Sequence, residues 1–216
     1  MDSKFKEHVV YMELPVSIWE FSVLDTELGQ YENIDALHED IEYLIRESPD
    51  VRKRETNVKA HMTKWDMTEY KSFKIISDKV EKTIHEYNRE NTDLKIQTYM
   101  TTCWGSLYKR GDYSEVHAHV PALYSWVYYA KVEDDAAPLH FINKVVGDED
   151  KGDDVNDSGL FYQPKSGVGV IFPGYLNHRV PEHKSDSERI IVVGNVEATG
   201  GVNYPQKSDR FLKVRR

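Results

Sequence analysis

Apolar positions recur with helical spacing through the first part of the chain and with strand spacing through the rest. Residues 8–14 (His-Val-Val-Tyr-Met-Glu-Leu) read as a strand stopped at Pro15, because proline has no amide proton to give to a ladder. Trp19, Phe21 and Val23 alternate and predict a second short strand. From Ile34 the apolar positions 34, 37, 41, 44 and 45 fall on one helical face and predict a helix over residues 33–47. Residues 49–67 are charged and irregular, ending in Trp65-Asp66. The strongest helical signal follows. Phe73, Ile76, Val80, Ile84 and Tyr87 line one face with Lys and Glu opposite, and Asp66-x-x-Glu69 predicts a capping box at its start. Both helices are expected to cover one face of a β-sheet.

After Asn91 the period changes. Residues 94–108 are rich in β-branched and aromatic side chains and predict a strand, with Arg110-Gly111-Asp112 as the turn behind it. Residues 123–132 are almost unbroken apolar and aromatic, as expected for a strand covered on both faces. Further strands are predicted at 139–142, 159–163, 168–172 and 189–196, and an acidic loop at 147–157. That loop lacks the ligand spacing and terminal glutamate of an EF-hand, so a solvated insertion, or a lid over a site, is expected there. Helices followed by a run of short strands predict an α+β domain, a jelly roll backed by helices. Residues 1–93 form its helical support with short strands, 94–197 its core, and 198–216 a basic tail.

The candidate chemistry sits in two stretches of that core. His117 and His119 are one residue apart where the pattern reads as strand. Positions i and i+2 of a strand share a face, so both imidazoles are expected to project into one cavity; a pair of exposed polar residues at a strand edge is the plain alternative. Downstream, the apolar strand at 168–172 ends at Pro173-Gly174, and His178 follows on the chain leaving it. Arg189 opens the apolar run Ile190-Ile191-Val192-Val193, where a charge needs a partner or a place at the rim.

In this order (His-x-His, the Tyr128-Tyr129 strand, His178, Arg189), residues 95–197 resemble the double-stranded β-helix core of the Fe(II)- and 2-oxoglutarate-dependent oxygenases. The likeness is to the branch with prolyl hydroxylases and small phage and bacterial oxygenases. The resemblance implies iron held by a His-x-acid pair and a distal His, and 2-oxoglutarate held by an Arg about ten residues after that His. It therefore implies His117, His119 and His178 as metal ligands and Arg189 as the partner of the cosubstrate's distal carboxylate. It further implies Tyr129 on the same carboxylate and Tyr108 near the cosubstrate. Asn195 shares strand parity with Arg189 and is expected to point the same way. The implied reaction consumes O2 and 2-oxoglutarate, releases succinate and usually ends in hydroxylation.

One position departs from the family. Where the relatives carry aspartate, this chain has His119. The family's facial triad is two histidines and a carboxylate, so either three imidazoles bind the metal or a carboxylate comes from elsewhere. Glu115, two residues before His117, is the first substitute and Asp112 the second; the spacing favours His119 itself. His8, His38 and His85 are accounted for by packing or surface positions, His61 and His183 fall in loops, and His140 could face the cavity. Trp104 and Trp126 are expected to pack the core.

Composition narrows the remaining classes. A net charge of −9 argues against non-specific duplex binding. Cys103 is the only cysteine, which excludes an intrachain disulfide and suits a reducing, cytoplasmic setting. No apolar run approaches a membrane span, and the N-terminus is not signal-like. Besides the oxygenase, two readings compete: a three-His cupin-like iron dioxygenase without 2-oxoglutarate, and a non-catalytic jelly-roll module. The substrate, a peptide or a small molecule, and the oligomeric state are not legible.

Overall fold

A computed structural model describes residues 6–10, 16–51, 57–91, 96–142 and 159–199. Its strands are β1 (Lys6–Val10), β2 (Val16–Ser22), β3 (Val58–Lys59), β4 (His61–Met62), β5 (Thr98–Tyr108), β6 (Tyr113–His117), β7 (Tyr124–Lys131), β8 (Leu139–Ile142), β9 (Gly159–Tyr162), β10 (Val168–Pro173), β11 (His178–Val180) and β12 (Arg189–Ala198). Two helices, α1 (Ile34–Glu47) and α2 (Lys71–Asn91), precede most of them. The strands form a seven-stranded sheet, β1-β2-β10-β7-β12-β5-β4, and a five-stranded sheet, β3-β6-β11-β8-β9. All the pairings within both sheets are antiparallel. This is the expected α+β arrangement.

The large sheet is covered on both faces, and strand alternation sorts its side chains between them. Trp19, Phe21, Cys103, Leu107, Trp126, Tyr128, Ile171, Ile190 and Val192 turn toward the helices, where Leu37, Ile41 and Ile45 of α1 and Phe73, Ile76, Val80 and Ile84 of α2 meet them. Their neighbours Ile18, Tyr108, Val127, Tyr129, Val170, Phe172 and Ile191 turn the other way and pack with Leu139, Phe141 and Val180 of the small sheet. The near-continuous apolar run of β7 therefore has a partner on each side. Gly105 on β5 marks a close approach of helix and sheet: a Cβ there would lie 2.3 Å from Ile45 Cγ1 and 3.1 Å from Phe73. Asn33 caps α1, its side chain accepting from the amide of Ala36 at 2.9 Å.

Four local expectations are corrected. Asp66 makes no side-chain cap; Met67–Glu69 is a separate 3-10 turn, and α2 begins at Lys71 after Tyr70, whose extended backbone breaks the helix. Trp65-Asp66 instead edges β5: Cys103 donates its amide to the Trp65 carbonyl at 2.8 Å, and Asp66 bridges Cys103. The irregular stretch before it contains β3 and β4, each of two residues, too short for any periodicity to announce. Strand β6 ends at His117, so His119 lies beyond it in the following loop. No strand is predicted at His178, which opens a three-residue strand, β11. Residues 11–14 of the first predicted strand, the acidic loop at 147–157 and the tail from 200 onward lie outside the described residues.

Candidate active site

The two sheets enclose one cavity, with an empty volume of about 490 Å³ including its open mouth. Its walls follow strand parity. Trp104, Ser106 and Tyr108 alternate inward from β5, and Arg189, Ile191 and Val193 from β12; Val58, Ser114, His117, Leu139, His178 and Val180 come from the small sheet.

Three histidines meet at one wall. His117, last residue of β6, and His178, first of β11, are register partners across that strand pair, with ring centroids 4.3 Å apart. His119 reaches them from its loop, 5.0 Å from the His117 ring and 5.1 Å from that of His178. The loop is held by its backbone. The His119 amide donates to the Gly174 carbonyl at 2.7 Å, and its carbonyl accepts from Ala122 at 2.7 Å. The side-chain nitrogens of the three residues lie within 4.8 Å of one another, a grouping that could hold a metal ion. So the three converge as the spacing predicts, but a backbone-pinned loop, not shared strand parity, brings in the third.

The tautomers are set by the backbone. His117 Nδ1 lies 2.8 Å from the Glu115 carbonyl and His178 Nδ1 2.8 Å from that of Leu176. A carbonyl only accepts, so each Nδ1 carries the proton and each Nε2 keeps its lone pair for a ligand. Burial pushes all three imidazole pKa values down, His119 to about 4 and His178 well below the ordinary range. The charge of its neighbours lowers His178 further. At neutral pH the cluster is therefore three neutral nitrogen donors, a set suited to iron, zinc, copper or nickel.

Neither carboxylate substitute joins them. Between the pairs His178–His117 and Val180–Ser114, two steps along β11 match three along β6. The extra residue in β6 is a bulge, and it resets strand parity. Ser114 and His117 both line the cavity while Glu115 is exposed. The Asp112 carboxylate accepts from the Lys109 amide at 2.8 Å and closes the turn there.

Arg189 faces the same cavity and is 1% exposed. Nη1 donates to the Ala137 carbonyl at 2.6 Å, while Nε has no partner. The guanidinium carbon sits 5.4 Å from the ring centre of Tyr108 and 5.2 Å from that of Tyr129. The Tyr129 hydroxyl is buried and makes no hydrogen bond of good geometry. Burial raises both phenols to about 12, the Arg189 charge opposing the shift, so both remain O–H donors. No carboxylate pairs with Arg189 among the described residues. A buried guanidinium with an unpartnered Nε, beside the Tyr129 hydroxyl, suits an anionic group. A dicarboxylate would find these donors in the same cavity as the three nitrogens.

The remaining predicted residues lie elsewhere. Asn195 keeps inward parity but is used up in the wall, donating to Thr102 Oγ1 at 3.0 Å and accepting from Ser125 Oγ at 3.0 Å. His140 is fully buried away from the cavity, stacked on Phe161 at 3.9 Å and accepting from Arg179 Nε. Trp126 packs with the helix-side core as expected and also borders the cavity, as does Trp104, 6.2 Å from the His119 ring. Against Trp104 stands Trp65, 47% exposed, at 4.6 Å. The Ala137 carbonyl has no signature in a sequence, and neither does His183, which backs it by accepting from the Ala137 amide.

Comparisons with known proteins agree with this arrangement. Residues 102–195 match the model of the family described as "Putative 2OG-Fe(II) oxygenase". No sequence among the curated proteins matches. Among solved structures, a prolyl-4-hydroxylase of Pseudomonas putida is similar at 16% identity and TM-score 0.56, over 83% of this chain and 91% of that one. The viral collagen prolyl hydroxylase of Paramecium bursaria Chlorella virus-1 is similar at 14% and 0.57, over 84% and 95%. HygX of Streptomyces hygroscopicus, solved with nickel, 2-oxoglutarate and hygromycin B, is similar at 9% and 0.60, over 86% and 84%. The matched segment carries the three histidines, the tyrosine pair and Arg189, so residues 102–195 are similar to the Fe(II)- and 2-oxoglutarate-dependent oxygenases at the positions that form the site.

Proposed function

We propose that the chain is a hydroxylase whose Fe(II) is held by His117, His119 and His178 and whose 2-oxoglutarate is anchored by Arg189 and Tyr129. The observation that carries this is one cavity lined by three imidazoles and by a buried guanidinium that pairs with no carboxylate among the described residues. On this reading the two sheets form the double-stranded β-helix of the family, residues 94–197 being the core of a single domain and residues 1–93 its support. Residues 198–216 are then an appended tail.

Bound Fe(II) with 2-oxoglutarate supplies O2 activation coupled to decarboxylation. The chain supplies position. His117 and His178 present Nε2 with Nδ1 anchored on carbonyls, so neither ring has to reorient when a metal arrives. Arg189 offers a planar fork that matches a carboxylate, and Tyr129 adds an O–H donor beside it. The Tyr108 ring, 5.4 Å from the guanidinium carbon, helps hold that fork in place. Asn195 is assigned a structural role in the wall. Trp104, with the exposed Trp65 behind it, borders the side of the cavity nearest His119 and is the proposed substrate-facing wall.

The substrate is proposed to be a peptide segment or a small molecule with an apolar or ring-bearing group for that wall. Solved neighbours include a Trichoplax adhaerens prolyl hydroxylase in complex with a peptide fragment, as well as the hygromycin B complex. No helix among the described residues is long and apolar enough to cross a membrane; a cytoplasmic setting is proposed from the lone, buried Cys103. The deciding experiment is anaerobic Fe(II) titration with and without 2-oxoglutarate, following the visible metal-to-ligand charge-transfer band. A band that appears only with both supports the reading, and a protein that binds iron but never 2-oxoglutarate overturns it.

A further inference from the structure

The cavity is unusual in its charges. Of the described residues that line it, Arg189 is the one permanent charge, and none is a carboxylate. The bulge in β6 turns Glu115 outward, and Asp112 is committed to its turn. A ligand set of three imidazoles brings no negative charge, so a metal dication arriving alone would join a buried guanidinium with no carboxylate among the described lining residues to offset either charge. Burying uncompensated charge is costly.

Resting on the ligand set proposed above, we infer that His119 makes Fe(II) and 2-oxoglutarate obligate companions, so that the cosubstrate gates metal occupancy. Among the described residues no lining side chain brings a negative charge, so the dianion supplies it. An aspartate at position 119 would leave the metal centre with one net positive charge; the three-imidazole set leaves two. The attraction between the metal centre and the dianion is then about doubled, and doubling a coupling free energy squares the corresponding ratio of affinities. Coupling is reciprocal: 2-oxoglutarate tightens iron by the same factor by which iron tightens 2-oxoglutarate. A protein built this way loses iron when 2-oxoglutarate is scarce and regains it when the cosubstrate returns.

The test is anaerobic Fe(II) titration by calorimetry of the wild type and of His119→Asp, each with and without saturating 2-oxoglutarate, corrected for chelation by the free acid. Typical couplings between two ligands run from about 5-fold to 150-fold. The wild type is expected to gain about 100-fold in Fe(II) affinity from 2-oxoglutarate, and His119→Asp about tenfold, with the variant binding Fe(II) alone more tightly than the wild type does. Equal gains in the two proteins overturn the inference while leaving the ligand set standing. If His119→Asp does not fold, His119→Glu takes its place, and a wild-type gain below about 5-fold overturns the inference without any variant. Wild-type Fe(II) affinity in His178→Ala overturns the ligand set, and the inference with it.

Discussion

His117 and His178 oppose each other directly across the β6–β11 pair, their rings 4.3 Å apart and their Nδ1 atoms each tied to a carbonyl two residues back. The two rings thus form a rigid pair on the small sheet, and the loop carrying His119 supplies the third donor. His117→Ala or His178→Ala is therefore expected to abolish tight Fe(II) binding. Anaerobic titration checks this, and wild-type affinity in either variant contradicts the assignment.

Glu115 is exposed behind the bulge and outside the histidine group. Glu115→Gln is expected to leave Fe(II) affinity within about twofold of wild type, since surface changes away from special features have small effects. Loss of iron in this variant would put the carboxylate in the metal site and remove His119 from it.

Arg189 is the buried cation lining the cavity. Breaking a buried, hydrogen-bonded charge pair costs about 2–5 kcal/mol, which is roughly 30-fold to several thousand-fold in affinity. Arg189→Ala is expected to weaken 2-oxoglutarate binding to the Mn(II)-loaded protein by that order. Arg189→Lys should recover only part, because a point charge cannot reproduce the fork. Calorimetry measures both. Unchanged binding in Arg189→Ala would move the carboxylate anchor elsewhere.

Gly174 supports His119 through the backbone. Its carbonyl takes the His119 amide, and a Cβ at this position would sit 2.2 Å from the Ala122 carbonyl oxygen. Backbone cannot yield to that contact as a flexible side chain would. Gly174→Ala should push the two loops apart, lowering stability by about 1–3 kcal/mol and Fe(II) affinity by about tenfold, as for other groups that orient a ligand. Denaturant unfolding and Fe(II) titration report the two effects separately; an unchanged affinity would mean that the loop tolerates the shift.

The residue before Arg189 belongs to an ion network on the helix side. Glu188 pairs with Arg46 of α1, which also holds Glu42, and Glu42 reaches Lys131 of β7 at 3.1 Å. The hydrogen bond from Arg46 holds the Glu188 carboxyl below its usual 4.5. For Glu42, burial pushes upward, and Arg46 and Lys131 more than offset it. A depressed carboxylate contributes stability above its unfolded pKa and loses it as pH falls through the folded value. Wild-type stability should therefore fall as pH drops below about 4.5, and Glu188→Gln should fall less steeply, with a neutral-pH cost of about 0.3–1 kcal/mol for so accessible a pair. Thermal melts between pH 3 and 7 test this; parallel curves for the two proteins would show that the pair contributes nothing.

Local pattern determined a good deal here. The apolar stripes of α1 and α2 and the two-sided burial of β7 are properties of neighbours in sequence, so periodicity alone made them legible. The order of His117, His119, His178 and Arg189 did the same for the family. What tertiary structure decided were relationships between distant segments. The bulge that turns Glu115 outward exists only because β6 must pair with β11 at one end and continue at the other. His119 joins the cluster because Gly174, far along the chain, accepts its amide. Asn195 has inward parity, yet Thr102 and Ser125 on the adjacent strands claim its amide. Parity sets the face from which a side chain starts; cross-strand register and backbone hydrogen bonds set what it meets. Those depend on contacts that no window along the sequence contains.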